Sequence, residues 1–221
     1  MWLGTSQQLD KITVRDVQLL STEVMVVDSA RNLVVIIDSQ LSLDAHVAAV
    51  CRCGNYQLQQ LRPVTRSLSA DAAKTLVQAF IPSRLDYCNA LLYGVSDGLM
   101  HRLQSVQNAV ARLVTVAWRR NHITLILRQL HWPPMRQRVA FKIAVLVFQC
   151  LTGKAPAYLA DDCRLTSDAS RLTSDASTYR LRSTDTANCV VQRSNNSFSD
   201  RLTLWLQTTA AVTAKQLNEY C

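Results

Sequence analysis

The stretch SRLDYCNALLYG, residues 83–94, holds the residue types of a nucleophilic site, because the thiol of Cys88 follows the carboxylate of Asp86 by two positions. A catalytic thiol needs a base within reach, but successive helix positions rotate by about 100°, so these two side chains point well apart. The stretch also contains no histidine. Helical spacing instead predicts a structural helix with Leu85, Cys88 and Leu92 in one buried stripe. Its polar flanks are then available for ion pairs and helix-end contacts: Arg84, Asp86 and Asn89. We expect no catalytic residue here.

A second stretch, YLADD at residues 158–162, offers the paired carboxylates of Asp161 and Asp162, which suit magnesium-dependent phosphoryl transfer. That chemistry needs the pair on a rigid turn within a sheet, joined by another acidic residue. Here the pair follows GKAPAYLA at a helix-like turn and leads into a polar tail. The context favours a solvated helix end.

Neither a metal site nor a cofactor is expected. The seven cysteines form no CxxC pair, and the four histidines fall at no ligand spacing from them. TGKAP lacks the glycine spacing of a phosphate-binding loop. We expect reduced thiols in an intracellular protein, nuclear or cytoplasmic, with no signal peptide, no transmembrane segment and no membrane partner.

The basic residues suggest a class of binding partner, polyanions, rather than a catalytic activity. Lys and Arg number 24 against 16 Asp and Glu, which gives a net charge of +8. Such a surface attracts polyanions, and the arginine fork suits phosphate contacts. The candidates for contact with an RNA or DNA backbone, without sequence preference, are Arg52, Arg62, Arg66, Arg102, Arg112, Arg119 and Arg120. Solvated flanks of amphipathic helices remain the alternative explanation for them.

The first 38 residues predict short strands. KITV, VQLL, EVMVVD and LVVIID are β-branched runs separated by small or polar residues. The last two predict a hairpin around a turn at Asp28–Asn32, and MWLG resembles the middle of a strand. Because an isolated hairpin is marginal, this element needs further cover for its apolar face.

The period becomes helical from Leu43 onward. A first helix, capped by Asp38 or Ser42, runs toward Pro63, with Gly54 as a weak point. Ser69 caps the second helix, whose apolar face is formed by Leu76, Ala79 and Phe80. Pro82 ends or kinks that helix, and Gly94 caps the one after it.

A helix over 97–117 has an apolar seam, which predicts that it packs along another helix. The seam consists of Leu99, Leu103, Val106, Val110, Leu113 and Ala117. A short helix then stops at Pro133–Pro134. The helix that follows is apolar over more than half its circumference, through Phe141 and Phe148 among others, which predicts the centre of a bundle.

The tail has a different composition. Residues 164–177 repeat RLTSDAS twice within a polar stretch, and each copy offers a single leucine, too little for a coiled-coil seam. We interpret residues 161–200 as a flexible, disordered segment and residues 201–219 as a C-terminal helix.

Four stretches, in this order and spacing, resemble the C-terminal part of reverse transcriptases of jockey-like, LINE-type non-LTR retrotransposons. They are SRLDYCNALLYG, LQSVQNAVARLV, HITLILRQLHWPPMRQRVAFKI and LTGKAPAYL. The likeness extends upstream through MWLGTSQQLDKI and IIDSQLSLDAHVAAV and covers about residues 1–160. It implies that residues 1–38 are the last palm strands and primer-grip hairpin, and that residues 43–160 are a thumb-like helical region that tracks the template–primer backbone. It also implies that the palm, with its aromatic-x-Asp-Asp turn, precedes the position of Met1.

The chain departs from that pattern at several places. The family's primer grip reads Leu-Gly-Val, whereas this chain has Leu33, Val34 and Val35, and a β-branched residue resists a positive φ. Pro133 replaces an apolar residue, and the pattern fades after residue 162. These departures are typical of a decaying genomic copy.

We therefore expect a mainly α protein with a small N-terminal antiparallel β element, broadly α+β, whose helical bundle resembles a reverse transcriptase thumb. Its expected function is that of a truncated, catalytically inactive reverse transcriptase fragment that retains at most non-specific binding to nucleic acid. The alternatives are a non-enzymatic helical interaction module and a relic of a transposable element without function. No oligomeric state follows from the sequence.

Overall fold

The computed structural model describes residues 1–118 and 120–160 and is mostly helical, with two small antiparallel sheets near the N-terminus. This confirms the expected α+β class at that level. The strands are β1 (Asp16–Leu19), β2 (Thr22–Met25), β3 (Ser29–Asn32) and β4 (Val35–Asp38). The helices are α1 (Ser6–Leu9), α2 (Asp44–Thr65), α3 (Ala70–Phe80), α4 (Pro82–Asp86), α5 (Asp97–Thr115), α6 (Ile123–Gln129), α7 (Met135–Leu151) and α8 (Ala157–Ala160), with a 3₁₀ turn at Asn89–Leu92.

The chain divides into two compact units, residues 1–138 and 139–221, with the boundary inside α7. The first unit contains both sheets and helices α1 to α6. Of the second, the structure describes the rest of α7 and α8. The predicted flexible segment 161–200 and C-terminal helix 201–219 lie outside the described residues, as do Asp161 and Asp162.

The strands pair as two separate hairpins, β1 with β2 and β3 with β4. The expected turn at Asp28–Asn32 is wrong, because Ser29–Asn32 is itself strand β3 and the reversal falls at Leu33 and Val34. MWLG and KITV form no strand. Every residue of β1 and β2 is exposed, so this hairpin presents apolar side chains on an uncovered surface.

The β3–β4 turn is the primer-grip-like stretch of the sequence. Both of its central residues have a positive φ, 44° at Leu33 and 72° at Val34. A two-residue hairpin turn with this geometry favours glycine or asparagine, since the left-handed region costs other residues about 1–2 kcal/mol each. The turn therefore has a conformation that suits glycine better than the β-branched Val34 that occupies it. Val35, the next residue, is buried at the start of β4.

Replacing Val34 with glycine should stabilise the chain by a few tenths to about 1 kcal/mol, because relief of the strained φ exceeds the entropic cost of glycine. Urea unfolding of the two proteins measures the change. Val35→Gly is the matched control, and it should destabilise because it removes a buried side chain from a strand. Equal destabilisation by both substitutions would contradict the strained turn.

Helix α2 begins after a loop that Asp38 holds in place. The Asp38 carboxylate accepts hydrogen bonds from the backbone N–H groups of Ser42 and Leu43, both at 2.8 Å, and Ser42 Oγ accepts one from Asp44 N at 3.3 Å. Although burial opposes it, these bonds hold the pKa of Asp38 below its usual value. The predicted cap is wrong, because Leu43 rather than Asp38 or Ser42 is the N-cap residue of α2, although both side chains accept hydrogen bonds from backbone N–H groups at the helix start. The helix runs two residues past Pro63.

Helices α2 and α5 pack closely at Gly54. A Cβ atom at this position would lie 2.8 Å from Val106 Cγ1, which is closer than such atoms approach one another. Gly54 is buried within a continuous helix. The sequence predicts a weak point here; the helix continues through Gly54 without a break, and the missing side chain permits close approach of two helices.

Gly54→Ala should destabilise the protein by up to about 2 kcal/mol. The added methyl group overpacks the contact with Val106, which costs about 1–3 kcal/mol, while the gain in helix propensity offsets about 1 kcal/mol of that cost. Thermal or urea unfolding checks this result.

Gly98→Ala is the control, because Gly98 lies in the first turn of α5 and a Cβ atom there meets nothing within 4 Å. It should be neutral or stabilising. If the two alanine variants had the same stability, close packing at Gly54 would not be limiting.

The segment from α3 to the 3₁₀ turn differs from its prediction in two respects. Ser69 caps α3 and Pro82 opens α4 after a break, as expected, but Phe80 is half exposed and the buried face of α3 is Ala73 and Val77. Cys88 is exposed rather than buried. Its φ of 53° breaks the helix between α4 and the 3₁₀ turn, so only Leu85 and Leu92 of the predicted stripe are buried.

The seam predicted over 97–117 is confirmed in α5, whose Leu99, Leu103, Val106 and Val110 are buried. Leu113 is only half-buried, and Ala117 follows the helix end. Helix α6 stops before Pro133–Pro134, as predicted. Along α7 one face is buried, while Phe141 and Phe148 are exposed. The prediction that α7 is covered on most of its circumference is therefore wrong.

Candidate nucleic-acid interface

A groove of about 510 Å³ lies between α5 and the C-terminal half of α2. Most of its lining residues are polar or basic, and none of these described residues is acidic. They are Arg62 from α2 and His101, Gln104, Ser105, Asn108, Ala109, Arg112, Leu113 and Ala117 from α5 and the residues after it. We call this surface the α2–α5 groove.

The α5 wall of the groove is a polar stripe. His101, Gln104, Ser105, Asn108 and Arg112 recur three or four positions apart, which places them on one side of the helix. The buried seam of α5 occupies a different side. The same helix therefore contributes both to the core and to a polar groove.

Two glutamine side chains of α5 hold the chain that leads into α7. Gln104 Oε1 accepts a hydrogen bond from Met135 N at 2.8 Å, and its Nε2 donates to Asn108 Oδ1 at 2.8 Å. Gln107, almost fully buried, donates from Nε2 to Pro133 O at 2.8 Å. These bonds fix the rotamer of Gln104 and leave the Asn108 amide nitrogen, a donor, unused by the acceptors of the described chain.

Arg62 and Arg112 are the cations of the groove. Neither forms an ion pair with any carboxylate in the described part of the chain. The Nε atom of Arg112 is buried and lacks a hydrogen-bond acceptor among the described residues. Two arginines without counter-ions beside amide and imidazole groups attract an anion, and a guanidinium can bind a phosphate in bidentate fashion.

The groove brings together only two of the seven arginines singled out in the sequence. Arg102 instead pairs with Asp44 at 3.1 Å at the start of α2. Arg52, Arg66 and Arg120 are exposed and do not line the groove. Arg119 lies outside the described residues.

The primer-grip-like turn is tied to the helices rather than to the groove. Tyr87 Oη donates a hydrogen bond to Leu33 O at 2.8 Å. His46 Nδ1 accepts one from Ile36 N at 3.4 Å, and burial, with a smaller contribution from Arg84, lowers the pKa of His46. Because the imidazole is neutral at neutral pH, its Nδ1 can act as this acceptor. The β3–β4 hairpin is thereby attached to α2 and to the segment after α4.

The polar residues of SRLDYCNALLYG are also occupied by structural contacts. Asp86 forms an ion pair with Arg138 at the start of α7, and Asn89 Nδ2 donates to Asp86 Oδ1 at 3.2 Å. Asn89 is almost fully buried. These contacts agree with the predicted ion-pair and helix-end roles.

The described residues contain no group of three or more potential metal ligands, and their cysteines, Cys51, Cys53, Cys88 and Cys150, are unpaired. Burial raises the pKa of the Cys51 thiol, which disfavours the reactive thiolate. No helix in this part of the chain is both long and apolar enough to cross a bilayer.

Sequence reasoning missed His101, Gln104 and Asn108 as parts of the groove, and it missed the exposed Trp118 beyond its end. A signal for the first three was present, since they recur at helical spacing opposite the apolar seam. The pairing of Arg102 with Asp44 could not be foreseen, because 58 residues separate the two partners.

Comparison with known proteins adds no relative. No protein-family model, no curated protein and no solved structure matches the chain.

Proposed function

We propose that this chain is a fragment of a non-LTR retrotransposon reverse transcriptase whose remaining activity is non-specific binding to the backbone of nucleic acid through the α2–α5 groove. The observation that carries the binding proposal is the pair of arginines, Arg62 and Arg112, in a groove without an acidic side chain among its described lining residues. The motif resemblance supports the family assignment. An intracellular setting with reduced thiols belongs to the same proposal.

The groove suits a phosphodiester backbone for two reasons. Its charged groups are guanidinium ions, which bind phosphate oxygens in a fixed fork. Asn108 adds an amide donor whose oxygen is already engaged by Gln104. Sequence preference is not expected, because phosphate contacts position a protein on nucleic acid without identifying bases.

Binding should depend on these two arginines. We expect Arg62→Gln and Arg112→Gln each to weaken binding to an RNA–DNA hybrid and to reduce the slope of log affinity against log salt by about 1, since each removes one phosphate contact. Fluorescence anisotropy across a salt series measures both quantities. Arg102→Gln is the matched control, because Arg102 is exposed on the same helix but already paired with Asp44.

The control should change affinity and slope much less than either groove variant. If the wild-type chain does not bind at low salt, the binding proposal is wrong. If Arg102→Gln has as large an effect as Arg62→Gln, net charge rather than the groove determines binding.

We further propose that the chain has no polymerase activity. Its 221 residues contain no aromatic-x-Asp-Asp sequence, the turn that binds the catalytic metals in the related enzymes; YLADD has two residues between the tyrosine and the aspartates. Primer extension with magnesium and deoxynucleotides should therefore yield no product above a protein-free control. Template-dependent extension by the purified chain would refute this.

A helical interaction module is the second candidate, favoured by the uncovered apolar side chains of the β1–β2 hairpin. Val17, Leu19, Val24 and Met25 are all exposed. In the first proposal this surface packs against palm strands, and in the second candidate it binds a protein partner. Absence of nucleic-acid binding at low salt would favour the module or a relic without function.

A further inference from the structure

An exposed tryptophan follows the last residue that lines the α2–α5 groove. Ala117 lines the groove, and the next residue, Trp118, has 81% of its surface exposed. Adjacent Cα atoms are 3.8 Å apart, so the backbone of Trp118 lies at the end of the groove. In contrast, Trp132 in the same unit is buried.

The backbone around Trp118 is hydrogen-bonded. Helix α5 ends at Thr115 with Val116 as its C-cap, whose φ is 52°, and Ala117 N donates to Arg112 O at 3.1 Å. Asn121 N then donates to Trp118 O at 3.0 Å. A backbone hydrogen bond therefore joins the residue before Trp118 to the groove arginine Arg112.

An exposed aromatic ring next to phosphate-binding groups is the arrangement by which proteins bind single strands. Bases stack on the ring, and the backbone follows the cations. A base inside a duplex is already stacked on its neighbours, and extruding it costs several kcal/mol in general. Trp118 thus adds binding energy for an unpaired base and little for a paired one.

Resting on the proposed function, we propose that the groove takes single-stranded RNA or DNA, with phosphates at Arg62 and Arg112 and one unpaired base stacked on Trp118. The groove wall from His101 to Ala117 spans about 24 Å of chain at 1.5 Å per residue, enough for several nucleotides. Stacking tolerates any base, so a preference for single strands is expected without a preference for sequence.

The test compares two labelled probes at the same low salt, an oligothymidylate of about 12 nucleotides and a blunt duplex of the same length. We expect Trp118→Ala in the full chain to weaken oligothymidylate binding by roughly 5- to 150-fold and to leave duplex binding within about twofold. Trp118→Phe retains a ring and should keep most of the single-strand affinity. Thermal unfolding of each variant verifies that it is folded.

Phe80→Ala is the matched control, because Phe80 is an exposed aromatic residue of α3 that does not line the groove. It should leave both affinities unchanged. If Trp118→Ala lost affinity equally for both probes, or lost affinity for neither, the stacking proposal would be overturned and the arginine-dependent binding would stand. If the wild-type chain binds neither probe, the proposed function itself fails.

Discussion

Helices α2 and α5 pack closely at Gly54, where α2 contributes no side chain, and the arrangement of the first unit depends on this contact. Val106 of α5 fills the space that a Cβ atom would take. Asp44 at one end of α2 pairs with Arg102 of α5, and Arg62 at the other end lines the groove with Arg112. A bulkier residue at position 54 would separate the helices and change the width of the groove. The polar surface is thus a consequence of core packing.

The polar residues of SRLDYCNALLYG and LQSVQNAVARLV are largely engaged in contacts within the fold. Tyr87 is bonded to the β3–β4 turn, Asp86 is paired with Arg138, and Gln104 and Gln107 hold the chain around Pro133–Met135. Each of these residues connects one motif to a distant part of the chain. The order and spacing of the motifs therefore reflect contacts within the fold, and a catalytic role is not needed to explain them.

The regular elements could be predicted from the sequence because local rules determine them. Ser69 caps α3, Pro82 separates α3 from α4, and the seam of α5 follows helical spacing. The irregular positions could not be predicted from the sequence. The turn at Leu33 and Val34 places two non-glycine residues at positive φ, and Cys88 does the same within an apparent helix. Long-range contacts override local preference at these points, and one sequence does not reveal which distant residues meet. For the same reason, the ion pair between Arg102 and Asp44 could not be predicted from the sequence.

The central claim is that Arg62 and Arg112 bind nucleic-acid phosphate while Arg102 does not. The most direct measurement is the nuclear magnetic resonance of the arginine Nε–H groups of the intact chain, assigned by substitution and recorded as an oligonucleotide is added. The account predicts that the signals of Arg62 and Arg112 shift with the bound fraction and that the signal of Arg102 stays in place. If the oligonucleotide binds and shifts only Arg102, or leaves both groove arginines unchanged, nucleic acid binds elsewhere and the account is contradicted.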